Sequence, residues 1–225
     1  MPEGSIELGP DEMRAMLAVS RRQFIWDARM PVRMVSTANA IGLYTAPPLN
    51  VLALFGVPGR VTIPGIDPLD IVVSLSSLVS ELESASASGR VLDLERLKLV
   101  AVPVTSAMSV AQLPPTEGWQ VPMHAVASDL TALVTKAVAE FTSRAAGQSE
   151  AVQQSIADEI WERPVWAALP MRVVHAAARL GMLGNDRGRV SAATSGSWKR
   201  MSTSRGHVFT RPSTVSSRTA LRLVF

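Results

Sequence analysis

The 225-residue sequence is 47% hydrophobic and 18% charged, has no cysteine and carries a formal net charge of +3. This composition excludes an intrinsically disordered chain, and the lack of thiols removes disulfides, thiolate metal sites and cysteine nucleophiles. The small net charge conceals a segregation. From Pro164 to Phe225 ten Arg and Lys face a single acid, Asp186, whereas Met1 to Arg163 holds twelve cations and eighteen acids. A concentrated positive segment calls for a polyanion or an acidic surface as its partner.

Acidic residues Glu3, Glu7, Asp11, Glu12 and Asp27 interrupt the first thirty positions, which therefore do not read as a secretory signal, and the expectation is a cytoplasmic protein. Pro10, Asp11 and Glu12 open a helix that runs to about Asp27, with Met13, Met16, Leu17 and Phe24 at helical spacing. Twenty-six uncharged residues then separate Arg33 from Arg60. That is long enough for a bilayer, but Pro47-Pro48 in its middle would free backbone groups that lipid cannot satisfy, so no membrane span is expected. Buried strands fit instead, with Asn50 to Val57 and Arg60 to Ile63 the best segments.

Asp67 and Pro68 read as the start of a helix, with Leu69, Val72, Leu75, Val79 and Leu82 as its apolar stripe. Leu97, Leu99 and Ala101 alternate in a strand that Pro103 ends. The break Pro114-Pro115-Thr116-Glu117-Gly118 divides an N-terminal α+β region, 1–115, from a helical and β-hairpin region, 116–225. The second region predicts helices over Met123–Ala145, Ser149–Arg163 and Leu169–Leu180. Short strands follow over Gly188–Thr194, Ser197–Thr203 and Gly206–Arg211, and an apolar end, Leu221 to Phe225, suits a last strand. The fold class expected is α+β with a C-terminal antiparallel meander.

In the third of those helices Arg172, His175 and Arg179 fall at i, i+3 and i+7, on one face. Arg187, Arg189, Lys199, Arg200 and Arg205 lie on the strands and turns that follow. In element order these sixty or so residues resemble a winged helix-turn-helix domain. The resemblance implies groove contacts by Arg172, His175 and Arg179, and phosphate contacts by Arg187, Arg189, Lys199, Arg200 and Arg205. The link from Arg163 to Leu169 is longer than that family's turn. The alternative is a non-enzymatic interaction module whose basic C-terminal part docks on an acidic partner or on a second copy of itself.

Trp161 and Trp166 read as packing at a joint between helices, while Trp198 serves either as packing or as a stacking platform for single-stranded nucleic acid. His124, His175 and His207 lack the spacing of metal ligands, and Asp67 with Asp70 suits helix capping better than acid–base chemistry. No nucleotide-binding or nucleophile-elbow motif is present. The sequence thus points away from an enzyme and implies no cofactor or metal, and it leaves the oligomeric state open.

Overall fold

The computed structural model describes residues 4–62, 68–98, 108–120, 123–166, 169–184 and 188–210. It is an α+β fold, and every strand pairing with a described register is antiparallel. The chain divides into two compact units, the first formed by 1–46 with 53–113, the second by 47–52 with 114–225.

In the first unit, helix α1 (Pro10–Phe24) begins at Pro10, carries Asp11 and Glu12 in its first turn and Arg21 and Arg22 in its last, and buries Met13, Met16 and Val19. Strands β1 (Ser5–Glu7), β5 (Arg60–Thr62) and β7 (Leu92–Asp93) form a small sheet in the order β5-β1-β7. Strands β2 (Pro31–Ser36), β3 (Ala40–Thr45), β4 (Leu52–Pro58) and β6 (Asp70–Ser74) pair in the order β6-β2-β3-β4. The uncharged stretch between Arg33 and Arg60 is therefore sheet, and among the described residues no helix is long and apolar enough to cross a membrane.

Two boundaries differ from expectation. Residues Asp70 to Ser74 are strand, because the β-branched run Ile71-Val72-Val73 packs on a pleated surface better than in a helix. Asp70 is accordingly no cap but an ion-pair partner of Arg33, at 2.7 Å. Helix α2 (Leu75–Ser88) starts only after Ser74, whose hydroxyl accepts from the Ser77 amide at 3.2 Å. It ends at Gly89, which adopts the left-handed φ of 65°. Leu94–Lys98 forms a short helix, α3, where a strand was expected to begin at Leu97. Asp67 and residues 99–102 lie outside the described set. Met16, Val32, Met34, Ile41, Leu75, Leu78 and Leu82 fill the core of this unit, each fully buried.

The second unit opens with β8 (Met123–Val126) and continues through α4 (Ala127–Ala145), α5 (Glu150–Glu162), the short pair β9 (Pro164–Trp166) and β10 (Leu169–Pro170), and α6 (Met171–Arg179). Strands β11 (Arg189–Ser195), β12 (Trp198–Thr203) and β13 (Gly206–Thr210) then make the expected meander. The order within this unit is β13-β12-β11-β8, so a four-residue strand from well upstream joins the meander as its fourth member. Sequence reading gave those four residues to the helix that follows them. Helices α4, α5 and α6 pack on one another, and α6 packs on β13. Phe141, Ile160, Trp161, Val174, Ala177, Met201 and Val208 are buried there. The meander is thus part of a helix-on-sheet layer, not a hairpin appended to a helical pair, and the winged-helix order is not borne out.

Across the outer surface of α4 and α5 runs a closed set of ion pairs. Arg144 donates to Glu140 and Glu159, each at 2.9 Å, and Arg163 reaches Glu140 with two nitrogens, at 2.9 and 3.0 Å. Hydrogen bonds from Arg163 and Arg144 hold the Glu140 carboxyl down to about 2. The unfolded value is higher, so whatever the network adds to stability is present above the ordinary glutamate range and is lost as pH falls through about 2. A carbon-detected NMR titration should find Glu140 still ionised at pH 3, and should find it titrating normally in Arg163→Gln/Arg144→Gln.

Candidate nucleic-acid interface

Of the eight residues singled out from the sequence, the seven within the described set do not all lie together. Helix α6 is interior: its first seven residues, Met171 to Ala177, are all buried. Arg172 is 6% exposed, forms an ion pair with Glu162 and donates from Nη2 to Thr210 Oγ1 at 2.8 Å. Burial lowers the pKa of its guanidinium. His175 is 1% exposed, with its ring 4.5 Å from that of Trp161. Burial first, and the Arg179 charge second, push its imidazole down to about 4. Neither side chain has surface from which to reach a groove. The i, i+3, i+7 spacing puts the three on one face, yet Val173, Val174, Ala176 and Ala177 are buried as well, and of the helix only Arg179 is exposed.

Arg179, in the last turn of α6, is exposed. Arg205, exposed in the β12–β13 turn, donates from Nη1 to the Gly181 carbonyl at 3.0 Å, just beyond the end of the same helix. Two guanidinium groups thus gather at the negative end of the helix dipole. Arg189 is exposed at the start of β11. Lys199 is half-buried on β12, opposite Thr194 and Thr210. Arg187 lies outside the described residues. Among the described residues no carboxylate pairs with Arg179, Arg189, Arg200 or Arg205, whereas Arg144, Arg163 and Arg172 are all committed to acids. Of the cations without a carboxylate partner among the described residues of this unit, Arg179 and Arg205 sit at the end of α6, Arg189 and Arg200 on the sheet, and Lys136 on α4.

Register sorts the sheet residues by face. Thr210 meets α6, so Lys199, Met201 and Val208, two residues apart or directly opposite, share the helix side. Trp198, Arg200, Ser202, His207 and Phe209 occupy the other side. Across that side runs the row His124, Ser191, Ser202, His207, each opposite the next on β8, β11, β12 and β13. The Ser202 hydroxyl lies 2.8 Å from His207 Nδ1, and burial followed by the Arg200 charge lowers the imidazole's pKa. In the neighbouring row Arg200 stands opposite Phe209, and its guanidinium carbon lies 4.3 Å from the centre of the Trp119 ring. Trp119 is held by a hydrogen bond from Nε1 to the Pro115 carbonyl at 3.0 Å, with its ring 5.9 Å from Phe209. Trp198 is 8% exposed and meets Phe209 edge-on, which makes it packing rather than a free stacking platform. Sequence reading did not single out Trp119. Its one signal was an indole directly after the Pro-Pro-Thr-Glu-Gly break, where a solvated loop needs no aromatic. Among the described residues no three His, Asp or Glu come together as a metal site.

Residues 114–215 match the model of a family described as a domain of unknown function, DUF8185. No curated protein matches the chain in sequence. Solved structures do match. The DNA polymerase III β subunit of Pseudomonas aeruginosa aligns over 92% of this chain and 64% of its own, with 10% identity and a TM-score of 0.52. That of Thermotoga maritima aligns over the same shares with 10% identity and a TM-score of 0.53. The DNA polymerase sliding clamp of Caulobacter crescentus aligns over 97% of this chain and 68% of its own, with 11% identity and a TM-score of 0.52. The chain spans just under two thirds of the first two, and what it shares with all three is the fold of a DNA polymerase sliding clamp.

Proposed function

We propose that this chain is a non-enzymatic, cytoplasmic nucleic-acid-binding protein on a sliding-clamp fold, which meets the phosphate backbone through the uncommitted cations of its second unit. The observation that carries this reading is the sorting of charge. Acids of α4 and α5 consume Arg144, Arg163 and Arg172, while Arg179, Arg189, Arg200 and Arg205 have no carboxylate partner among the described residues. The fold of proteins named DNA polymerase sliding clamps is consistent with it, although fold alone does not assign function. Relative to the sequence reading, the contacts move from the buried Arg172 and His175 to Arg179 and Arg205 at the helix end and to Arg189 and Arg200 on the sheet; Arg187 and Lys199 remain proposed phosphate contacts by sequence alone.

The test is fluorescence anisotropy of labelled duplex and single-stranded DNA at several salt concentrations. Binding should weaken steeply as salt rises, and reversing Arg179, Arg189 and Arg205 together to Glu should weaken it by about tenfold or more at low salt in a protein that circular dichroism shows still folded. Failure to bind at low salt sinks the proposal. A second reading, docking of an acidic protein or of a second copy, is favoured by β8, an edge strand whose Met123 and Val126 are 56% and 41% exposed.

A further inference from the structure

Arg200 is the one arginine of the sheet whose surroundings prepare it for a ligand. Its guanidinium carbon lies 4.3 Å from the centre of the Trp119 ring, so the indole covers one side of the ion and uses none of its N–H donors. Nε is buried without a hydrogen-bond partner, and among the described residues Arg200 forms no ion pair. A buried donor left unmatched is costly, and an acceptor that enters the plane of the guanidinium recovers that cost. The platform beneath it is fixed. The Gln120 amide donates to the Thr194 carbonyl at 2.8 Å, the Ser195 hydroxyl donates to the Glu117 carbonyl at 3.3 Å, and the indole is tied to Pro115.

The surroundings select the sign and the kind of acceptor. His124, His207 and Arg189 share this side of the sheet with the hydroxyls of Ser191 and Ser202. The acids Glu140, Glu159 and Glu162 are engaged by arginines of the helix layer, and the acid closest to Trp119 in sequence is the exposed Glu117. We propose that Arg200, held on Trp119, is a pre-formed oxyanion site on the side of this sheet opposite α6 and takes a phosphate group, either free or carried by a nucleic-acid backbone. A phosphate presents several oxygens, enough to accept from the planar fork and from a neighbouring hydroxyl at once. The nucleic-acid source deepens the function proposed above and rests on it, whereas the phosphate site itself does not.

The experiment follows the Arg200 Nε–H signal by NMR in the full chain during titration with inorganic phosphate, with chloride at matched ionic strength, with acetate and with a single-stranded oligonucleotide. A saturable shift with phosphate but not with chloride is the expected result, and the Trp119 indole N–H signal should follow it in the unmutated protein but not in Arg200→Lys. Lysine keeps the charge but loses the fork and the stacked plane. If the oligonucleotide shifts the same signal and binds about tenfold more weakly to Arg200→Lys, the phosphate comes from a nucleic acid. If phosphate saturates the site and the oligonucleotide does not bind, the site stands and the nucleic-acid function falls. A shift that never saturates, or that acetate drives more strongly than phosphate, overturns the assignment. So does oligonucleotide binding that Arg200→Lys leaves unchanged. The titration of the unmutated protein decides the matter even where a variant does not fold.

Discussion

Replacing Trp161 by alanine should destabilise the second unit by about 3–5 kcal/mol, the largest single-residue effect expected in the protein. Trp161 is 2% exposed and stands between the Phe141 ring, 6.2 Å away, and the His175 ring at 4.5 Å. The indole is thus the wedge between three helices, and alanine leaves a cavity that neither ring can enter without pulling its helix inward. Its Nε1 is buried without a hydrogen-bond partner among the described residues, so Trp161→Phe forfeits volume but no hydrogen bond. That variant should cost only about 1–2 kcal/mol. Urea denaturation reads both values as shifts of the midpoint at constant slope. A loss below 1 kcal/mol for the alanine variant would mean that the three helices do not close around this ring.

Acid should weaken the same unit well above the range in which its carboxylates titrate. His175 is neutral when folded, with its imidazole at about 4 against 6.5 when free. The groups facing it are Trp161, with Glu162 beside it on α5, Arg172 and Arg179 on its own helix, and Thr210 through Arg172. Only Glu162 is acidic, and Arg172 engages it. Because the folded value is lowered, the unfolded chain takes up the proton first. Stability is whole above pH 6.5, falls between 6.5 and about 4, and levels off below that after a loss of about 3 kcal/mol. His207, also lowered by burial, adds to the loss with the same sign. Unfolding measured at pH 7, 5.5 and 4.5 should show the decline, and His175→Phe should flatten most of it. An equal slope in that variant would assign the decline elsewhere.

Local chemistry made some of this fold legible. Pro10 with Asp11 and Glu12 placed α1, and the Ser195-Gly196 and Ser204-Arg205-Gly206 turns placed the meander within a residue or two. What escaped was whatever depends on distant partners. Met123 to Val126 is strand only because β11 pairs with it, and nothing in four residues ahead of a good helix announces that. The same holds for the site. Arg172, His175 and Arg179 were correctly placed on one helix, but periodicity tells which residues share a face and not which face is covered. Arg200 was named for its charge. Its stack depends on Trp119, eighty-one positions earlier, brought over the sheet by a loop whose anchors are main-chain carbonyls that no residue code specifies.

The separation of β8 from β11 also orders the assembly of the second unit in time. The β11–β12 and β12–β13 pairs close through tight turns at Gly196 and Gly206, a small loss of chain entropy that hairpins recover within microseconds. Pairing β8 with β11 must close a loop that contains all of α4, α5 and α6. That closure becomes favourable only once the helices have shortened the span and begun to cover the sheet. The edge strand therefore arrives last and is the first to leave, so the unit's slowest folding step and its earliest local opening meet at Met123 to Val126.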